Sequence, residues 1–457
     1  MKAIVLAAGI GRRMWPLGET RNKTTLPVGN VPNVRRVVDD IRGAGIREIV
    51  VAVGHLEASV RHALRGVPEL TLVAVDPVAG SAASASVCLR NIESDASVLV
   101  VPGDLATPSE NLERLLAAHR DSDAAATVLT SMDPLEDPKE TIGIEVRGGV
   151  VRAVVGCPRD PMPRWTGAVV LSPRTFDSVH DNPGIFRHVP VGGMPPMASD
   201  LGESLAQLIE DGASVAAVDA NGYAIDLDKP WQVIEANERW VAHRLATAER
   251  DIVPESCRIS DGADIKGRLL LGENVVIGKR CVIDGGLIAG AGTTLLNGPM
   301  VRGGVALGSG VAVRDYALLE SGTVCGDRGV YGHGAEFQGT ALDNVYLYHY
   351  CEIYGFLGSS VDIGAATVCG TLRFDDGEAR HRVGGRIEVP RVHANASYIG
   401  DHSRTGVNAV LLPGSRVGAW SCVGPGVVHH GDLPSREAVF VKQELERKPW
   451  GPERYGW

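Results

Sequence analysis

Gly9, Gly11, Arg13 and Lys23 crowd the start of this chain, and their types suit work on phosphate. Ala3-Ile4-Val5-Leu6-Ala7-Ala8 is strongly apolar and predicts a buried first strand that breaks into a glycine loop. Such a break exposes backbone N–H groups and keeps side chains clear of an approaching phosphate. Two cations beside the loop, Arg13 and Lys23, can screen two phosphate-bearing groups that otherwise repel each other. Val98-Leu99-Val100-Val101-Pro102-Gly103-Asp104 reads as a second buried strand, ending in a carboxylate. Asp104 there can hold Mg²⁺ for phosphoryl chemistry, or serve only as a turn residue.

Positioning these groups falls to an alternation of apolar strands and amphipathic helices. Strands are expected at 2–8, 48–53, 71–75, 97–101, 125–130 and 168–171, with helices at 33–44, 57–65 and 109–119 between them. This order predicts a mostly parallel α/β sheet with ligands at the carboxyl ends of its strands. The periodicity changes after about residue 255. Leu271-Gly272, Ile277-Gly278, Leu307-Gly308, Ile363-Gly364, Ile399-Gly400 and Val417-Gly418 each open a short aliphatic-Gly unit. Six-residue units of this kind stack into a parallel β-helix. Units are irregular at 325–350 and 370–398, where protruding loops are expected.

With 457 residues, the chain exceeds one core, and 56 glycines with 5% aromatics suit a thin, turn-rich second half. A net charge of −10 argues against a nucleic-acid surface. No apolar run reaches the length of a membrane span, and no signal segment is recognised. The eight cysteines show neither CxxC nor metal spacing, so they read as reduced residues of a cytoplasmic protein.

Residues 6–28, from LAAGIGRRMWPL to Lys23-Thr24-Thr25-Leu26-Pro27-Val28, resemble the signature of the sugar-phosphate nucleotidyltransferases. The resemblance implies a Rossmann-like nucleotidyltransferase domain, with nucleotide over Leu6, Ala8, Gly9, Gly11 and Arg13. Lys23 would bridge nucleotide and sugar phosphate. Asp104 matches that family's Gly-Asp motif, and Ala224-Ile225-Asp226-Leu227-Asp228 is similar to its DIDTPEDL ending, so Mg²⁺ would rest on Asp104 and Asp226, with Asp228 the alternative. Glu235-Ala236-Asn237, in a helix expected over 231–245, is likewise similar. Gly80 and Ser81 resemble the small-residue loop that lets a base or ribose approach the backbone. The base-reading Gln of relatives is replaced by the neighbourhood Val75-Asp76-Pro77, leaving the base open. On the sugar side, Gly143, Thr166 and Gly167 match substrate positions. Gly156-Cys157-Pro158, however, stands where relatives carry Glu-Lys-Pro, and loses both a hydroxyl reader and a cation. An altered acceptor follows, a sugar 1-phosphate or a sugar-like (cyclitol) phosphate.

The second half resembles the left-handed, hexapeptide-repeat β-helix. Val345-Tyr346-Leu347-Tyr348-His349-Tyr350, Thr371–Asp376, Ile399–Gly406 and Val441-Lys442-Gln443-Glu444 resemble archaeal-type bifunctional enzymes that join nucleotidyl transfer to amino-sugar N-acetylation. In that likeness His349 would be the general base and acetyl-CoA the acyl donor. The segment Arg391-Val392-His393-Ala394 lacks the lysine that relatives place nearby, and His349 between two tyrosines can equally be a packing residue. The expected organisation is a nucleotidyltransferase domain over 1–250, a β-helix over 251–437 and a tail over 438–457. Trp450, Tyr455 and Trp457 of that tail would fold back on the helix or a neighbour. A homotrimer or a dimer of trimers is expected. Three activities remain open at this level: nucleotidyl transfer with an inert trimerisation platform, a bifunctional enzyme with live acetyl transfer, or a non-catalytic assembly or regulatory subunit.

Overall fold

The computed structural model describes residues 1–92, 95–133, 135, 137–189 and 197–452. Tyr455 and Trp457 lie outside the described residues. Strand β1 (Lys2–Ala7) forms where the apolar opening is expected, and helix α1 (Asn33–Gly43) buries Val34, Val37, Val38 and Ile41 on one face, the spacing of an amphipathic helix. The alternation continues with β2 (Ile49–Val53), α2 (Glu57–Ala63), β3 (Leu70–Ala74), α3 (Ser81–Arg90), β4 (Val98–Pro102), β5 (Leu105–Ala106) and α4 (Ser109–Arg120). Beyond it lie β6 (Ala126–Ser131), β7 (Ile142–Arg147), β8 (Val150–Gly156), β9 (Arg164–Leu171), α5 (Leu201–Glu210), β10 (Val215–Asp219), β11 (Ile225–Asp226) and α6 (Pro230–Ala246).

Nine strands form one sheet in the order β3-β2-β1-β4-β9-β6-β10-β8-β7. The first four are parallel, and β6 is parallel to β10. Strand β9 enters antiparallel between β4 and β6, and β7 and β8 form an antiparallel ribbon at the edge. The sheet is therefore mixed rather than mostly parallel. An antiparallel partner needs no crossover helix, so the strand–helix alternation visible in the sequence does not report it.

From Arg258 onward the backbone coils into a parallel β-helix of two long ladders. Asp264 pairs with Val282, Val282 with Met300 and Met300 with Leu318, and groups on successive coils stand 18 residues apart. Ile277, Leu295, Val313, Tyr331, Leu347 and Ile363 point inward in register and are almost fully buried. At 325–350 no loop protrudes. The coil there contracts to 16 residues per turn, shown by Val324 pairing with Thr340 and Arg328 bonding Asn344. The irregular hexads are shortened corners. Between coils at 362 and 404 the chain does leave the stack, and it folds a hairpin of His381–Val383 with Arg386–Glu388.

That hairpin lies on the first domain. Val383, Ala396, Tyr398 and Phe356 pack with Trp231 and Ile234 of α6 in one apolar cluster. Phe356 and Tyr398 are fully buried, each worth about 2 kcal/mol of burial. The segment leading to Lys23 also docks on the β-helix. The Arg416 guanidinium lies 4.9 Å from the Trp15 ring centre, and Arg21 Nη2 meets Asp401 Oδ2 at 2.6 Å. Among the described residues no helix is long and apolar enough to cross a membrane. All eight cysteines are free thiols.

Candidate active site

The phosphate loop is held by its neighbours rather than by its own residues. Gly11 takes a left-handed conformation (φ +64°), and a Cβ there would stand 3.2 Å from Lys23 Cβ, so the glycine makes room for the lysine stem. Asn22, almost fully buried, donates from Nδ2 to the carbonyls of Gly9 (3.1 Å) and His55 (2.8 Å). Its Oδ1 accepts from the Thr24 amide at 3.0 Å and caps the short turn Lys23–Thr25. One side chain thus ties the glycine loop to the lysine.

Two carboxylates reach the same place by a different route. Asn33, buried at the start of α1, donates to the carbonyls of Gly103 and Leu105, each at 3.0 Å, and so clamps the residue between them, Asp104. Strands β5 and β11 then pair antiparallel, setting Asp226 opposite Leu105 and beside Asp104.

Lys23 Nζ is in direct contact with Asp104 Oδ2, 3.5 Å from Asp228 Oδ1 and 3.9 Å from Asp226 Oδ1. Burial alone would lower its pKa, but Asp104, Asp226 and Asp228 outweigh that and hold the ammonium well above its ordinary value. Arg13 Nη2 bonds Asp228 Oδ2 at 2.8 Å, and its pKa is likewise raised by Asp228 and Asp226 against the pull of burial. Three carboxylates therefore surround two permanent cations.

These groups form one wall of a cavity of about 460 Å³. Leu6, Ala8, Gly9 and Arg13 line it together with Gly80 and Ser81, and so do Lys23, Asp104 and Asp226. Gly80 (φ +101°) brings α3 against Ser199, where a Cβ would lie 2.2 Å from the carbonyl oxygen. Ser81 Oγ is spent on Asp200 and on the Leu201 amide. Asp200 itself lines the cavity, and burial raises its pKa.

Three expected residues are placed differently. Asp228 does not line the cavity and instead holds Arg13 and Lys23 from behind. Gly11 is also off the wall, supporting Lys23. Gly143 is packed, since a Cβ there would meet Met162 Sδ at 2.1 Å, and its neighbours Thr141 and Ile142 face the cavity. Thr166 and Gly167 do line it, though the Thr166 hydroxyl donates to the Leu129 carbonyl.

The far end of the cavity holds Glu140 and Arg164, neither of which the motifs signal. Ile142 pairs with Gly156, the Cys157 amide donates to the Thr141 carbonyl at 2.8 Å, and Arg164 pairs with Gly143. Glu140 and Arg164 thus border the segment that lacks a carboxylate and a cation. A side chain at 156 would not fit, because its Cβ would lie 2.4 Å from Phe186 Cε1. Glu140 also bonds Lys229, whose Nζ meets Glu388 Oε2 of the β-helix hairpin at 2.6 Å.

On the β-helix, His349 sits at an exposed coil corner, φ +66°. Its Nδ1 lies 2.6 Å from His333 Nδ1 one coil below, and His333 Nε2 lies 3.2 Å from Tyr350 Oη. Tyr348 Oη donates to Asp315 at 2.5 Å.

Loop backbone, paired cations and carboxylates that suit phosphate and metal thus meet at one cavity, and residues 3–176 match the MobA-like NTP transferase domain. The chain therefore joins a nucleotidyltransferase-type domain to a parallel β-helix. Over 444 residues it is 26% identical to the bifunctional sugar-1-phosphate nucleotidylyltransferase/acetyltransferase of Sulfurisphaera tokodaii, covering 95% of this chain and 98% of that protein. The bifunctional protein GlmU of Methanococcus vannielii is 25% identical over 449 residues, 97% of this chain and 99% of that one. Among solved structures, UDP-glucose pyrophosphorylase complexed with UDP-glucose matches 53% of this chain and 99% of its own, at 18% identity and a TM-score of 0.45.

Proposed function

We propose that the first domain transfers a nucleotidyl group from an NTP to the phosphate of a sugar 1-phosphate or a cyclitol phosphate, releasing pyrophosphate. The observation that carries this reading is Lys23 set among Asp104, Asp226 and Asp228 beside Arg13, on the wall of a cavity of about 460 Å³. An acceptor phosphate oxygen attacks the α-phosphorus, and the bond to the β-phosphate oxygen breaks in line. Arg13 neutralises the charge that gathers on the departing pyrophosphate. Lys23, permanently charged, bridges the two phosphates that must meet. Backbone amides at Ala8 and Gly9 receive the triphosphate, and Gly80 with Ser81 borders the nucleoside.

Asp104 and Asp226 are the carboxylates that would hold Mg²⁺. The excess of carboxylate over cation and the all-oxygen donor set fit a hard divalent ion, which usually takes one or two carboxylates plus substrate phosphates. When bound, it supplies charge neutralisation on the phosphates. At the acceptor end Arg164 binds the phosphate and Glu140 reads hydroxyls, replacing the pair missing at 156–157. Lys229 and Glu388 keep Glu140 in place. Turnover of the purified protein with Mg²⁺, a panel of NTPs and a panel of sugar and cyclitol phosphates, read as pyrophosphate release, tests the reading. Release with one pair names both substrates, and nucleotide binding without release across the panel overturns it in favour of a regulatory subunit.

A second activity, N-acetylation of an amino-sugar phosphate by acetyl-CoA, is supported by the His349 corner and by likeness to bifunctional proteins over nearly the whole chain. With His349 Nδ1–H donating to His333, and His333 Nε2–H to Tyr350, the free Nε2 of His349 can take a proton from an amine. The same reading has the β-helix assemble as a homotrimer or a dimer of trimers, in the cytoplasm where these substrates meet. Acetyl-CoA consumption that vanishes in His349→Ala would establish the second activity, and consumption unchanged by that substitution would remove His349 from it.

A further inference from the structure

Helix α6 carries Glu235 and Glu238 one turn apart, and both face the loop of the β-helix that carries His393. His393 Nε2 stands 3.2 Å from Glu235 Oε2 and 3.7 Å from Glu238 Oε2, and one donor atom from each of the three residues falls within 4.8 Å of the others. Donors around a tetrahedral Zn²⁺, with bonds of about 2.0–2.2 Å, stand about 3.3–3.5 Å apart. The observed spacings bracket that value.

The outer contacts have the form that metal ligands require. Tyr354 Oη lies 2.8 Å from His393 Nδ1, so a proton on Nδ1 donated to the phenol leaves the Nε2 lone pair aimed at the two carboxylates. Arg239 Nε donates to Glu235 Oε1 at 2.6 Å, orienting that carboxylate while its Oε2 remains turned to the histidine. His393 and Glu235 side chains are each 8% exposed, which shields the cluster. Glu238, 26% exposed, also lines a second cavity of about 270 Å³ together with Ser321 and Gly322, so one carboxylate of the cluster meets solvent. Gly322 lets the Glu238 side chain pack against the coil, since a Cβ there would meet Glu238 Cγ at 2.5 Å.

We propose that Glu235, Glu238 and His393 form a binding site for a first-row divalent cation of the Zn²⁺ type, which fastens the last helix of the nucleotidyltransferase domain to the β-helix. One imidazole with two carboxylates suits a borderline cation better than the all-oxygen set at Asp104 and Asp226. The site is separate from the reaction: it joins two domains and touches neither Lys23 nor the 460 Å³ cavity.

The test uses the full chain stripped with chelator and titrated with Co²⁺ as a visible-absorbing probe and with Zn²⁺ for stoichiometry. In an Asp104→Asn/Asp226→Asn background, one equivalent is expected to bind, with the visible d–d absorption of a nitrogen-containing site and a rise in thermal midpoint. His393→Asn and Glu235→Gln in that background should abolish the absorption, and Tyr354→Phe should weaken binding by about 10–100-fold. No bound equivalent in the background protein, or binding that survives both substitutions in chains that keep their circular dichroism, overturns the site. The cluster is then a hydrogen-bonded contact between His393 and its glutamates. Pyrophosphate release by the wild-type chain is unaffected by either result.

Discussion

The two candidate reaction centres are built on opposite plans. In the first domain, Arg13, Lys23 and Asp104 converge because the loops after parallel strands β1 and β4 close over one side of the sheet, and the antiparallel β5–β11 ribbon adds Asp226. In the β-helix, Asp315, His333 and His349 stack on successive coils, 16 to 18 residues apart, and remain on an outer corner. The first plan produces concavity from a single chain, so charges there are desolvated and strongly coupled, and Lys23 is held permanently protonated. The second leaves its side chains on an exposed surface rather than in a cleft. Strand ends with their loops thus enclose a site, whereas stacked coils present side chains in a row along an open face.

The sharpest way to break this contrast is Lys23→Ala. Removing the buried ammonium is expected to lower nucleotidyl transfer by about 10³-fold or more, with circular dichroism unchanged. A loss below tenfold, measured by pyrophosphate release, would mean that the enclosed cluster is structural. His349→Ala should cost about 10²–10³-fold in acetyl transfer and leave pyrophosphate release at wild-type rate. An effect on both activities would show that the two regions are not independent. Glu388→Ala probes their contact. By freeing Lys229 and Glu140 it should raise KM for the acceptor several-fold while kcat moves little, and an unchanged KM would detach the hairpin from the acceptor end.

The smallest expected effect lies in the wall of the first domain. Burial pushes the Asp40 carboxyl on α1 up from 3.8 to about 7. The folded state therefore binds that proton more tightly than the unfolded chain, and stability falls as pH climbs through that window. Asp40→Asn should be neutral near pH 4 and stabilising by about 1–2 kcal/mol above pH 7, read as a thermal midpoint a few degrees higher. A gain of equal size at both pH values would assign it to packing instead.

Much of the candidate cavity wall was legible because it is local. Gly9, Arg13 and Lys23 lie within one strand–turn segment, and Asp104 closes an apolar strand, so type and spacing carry the chemistry directly. Glu140 and Arg164 were not legible. They reach the cavity through the pairing of Ile142 with Gly156 and of Gly143 with Arg164, and antiparallel register leaves no mark in a motif. Gly143 misled for the related reason that a small residue signals a close approach without saying whether ligand or protein makes it. Met162 does. At 325–350 the hexads look broken, yet a coil can drop two residues at a corner and keep its inward stripe.

The sequence by itself determined the kinds of layer and the central charges, since strand periodicity, glycine turns and the residues flanking them act over a few neighbours. Tertiary structure alone decided which carboxylates face the cavity, what stands at the acceptor end, and that α6 meets His393 across a domain boundary. Those depend on strand register and on domain packing, where the partner is separated by tens to hundreds of residues and is selected by the shape of the buried surface.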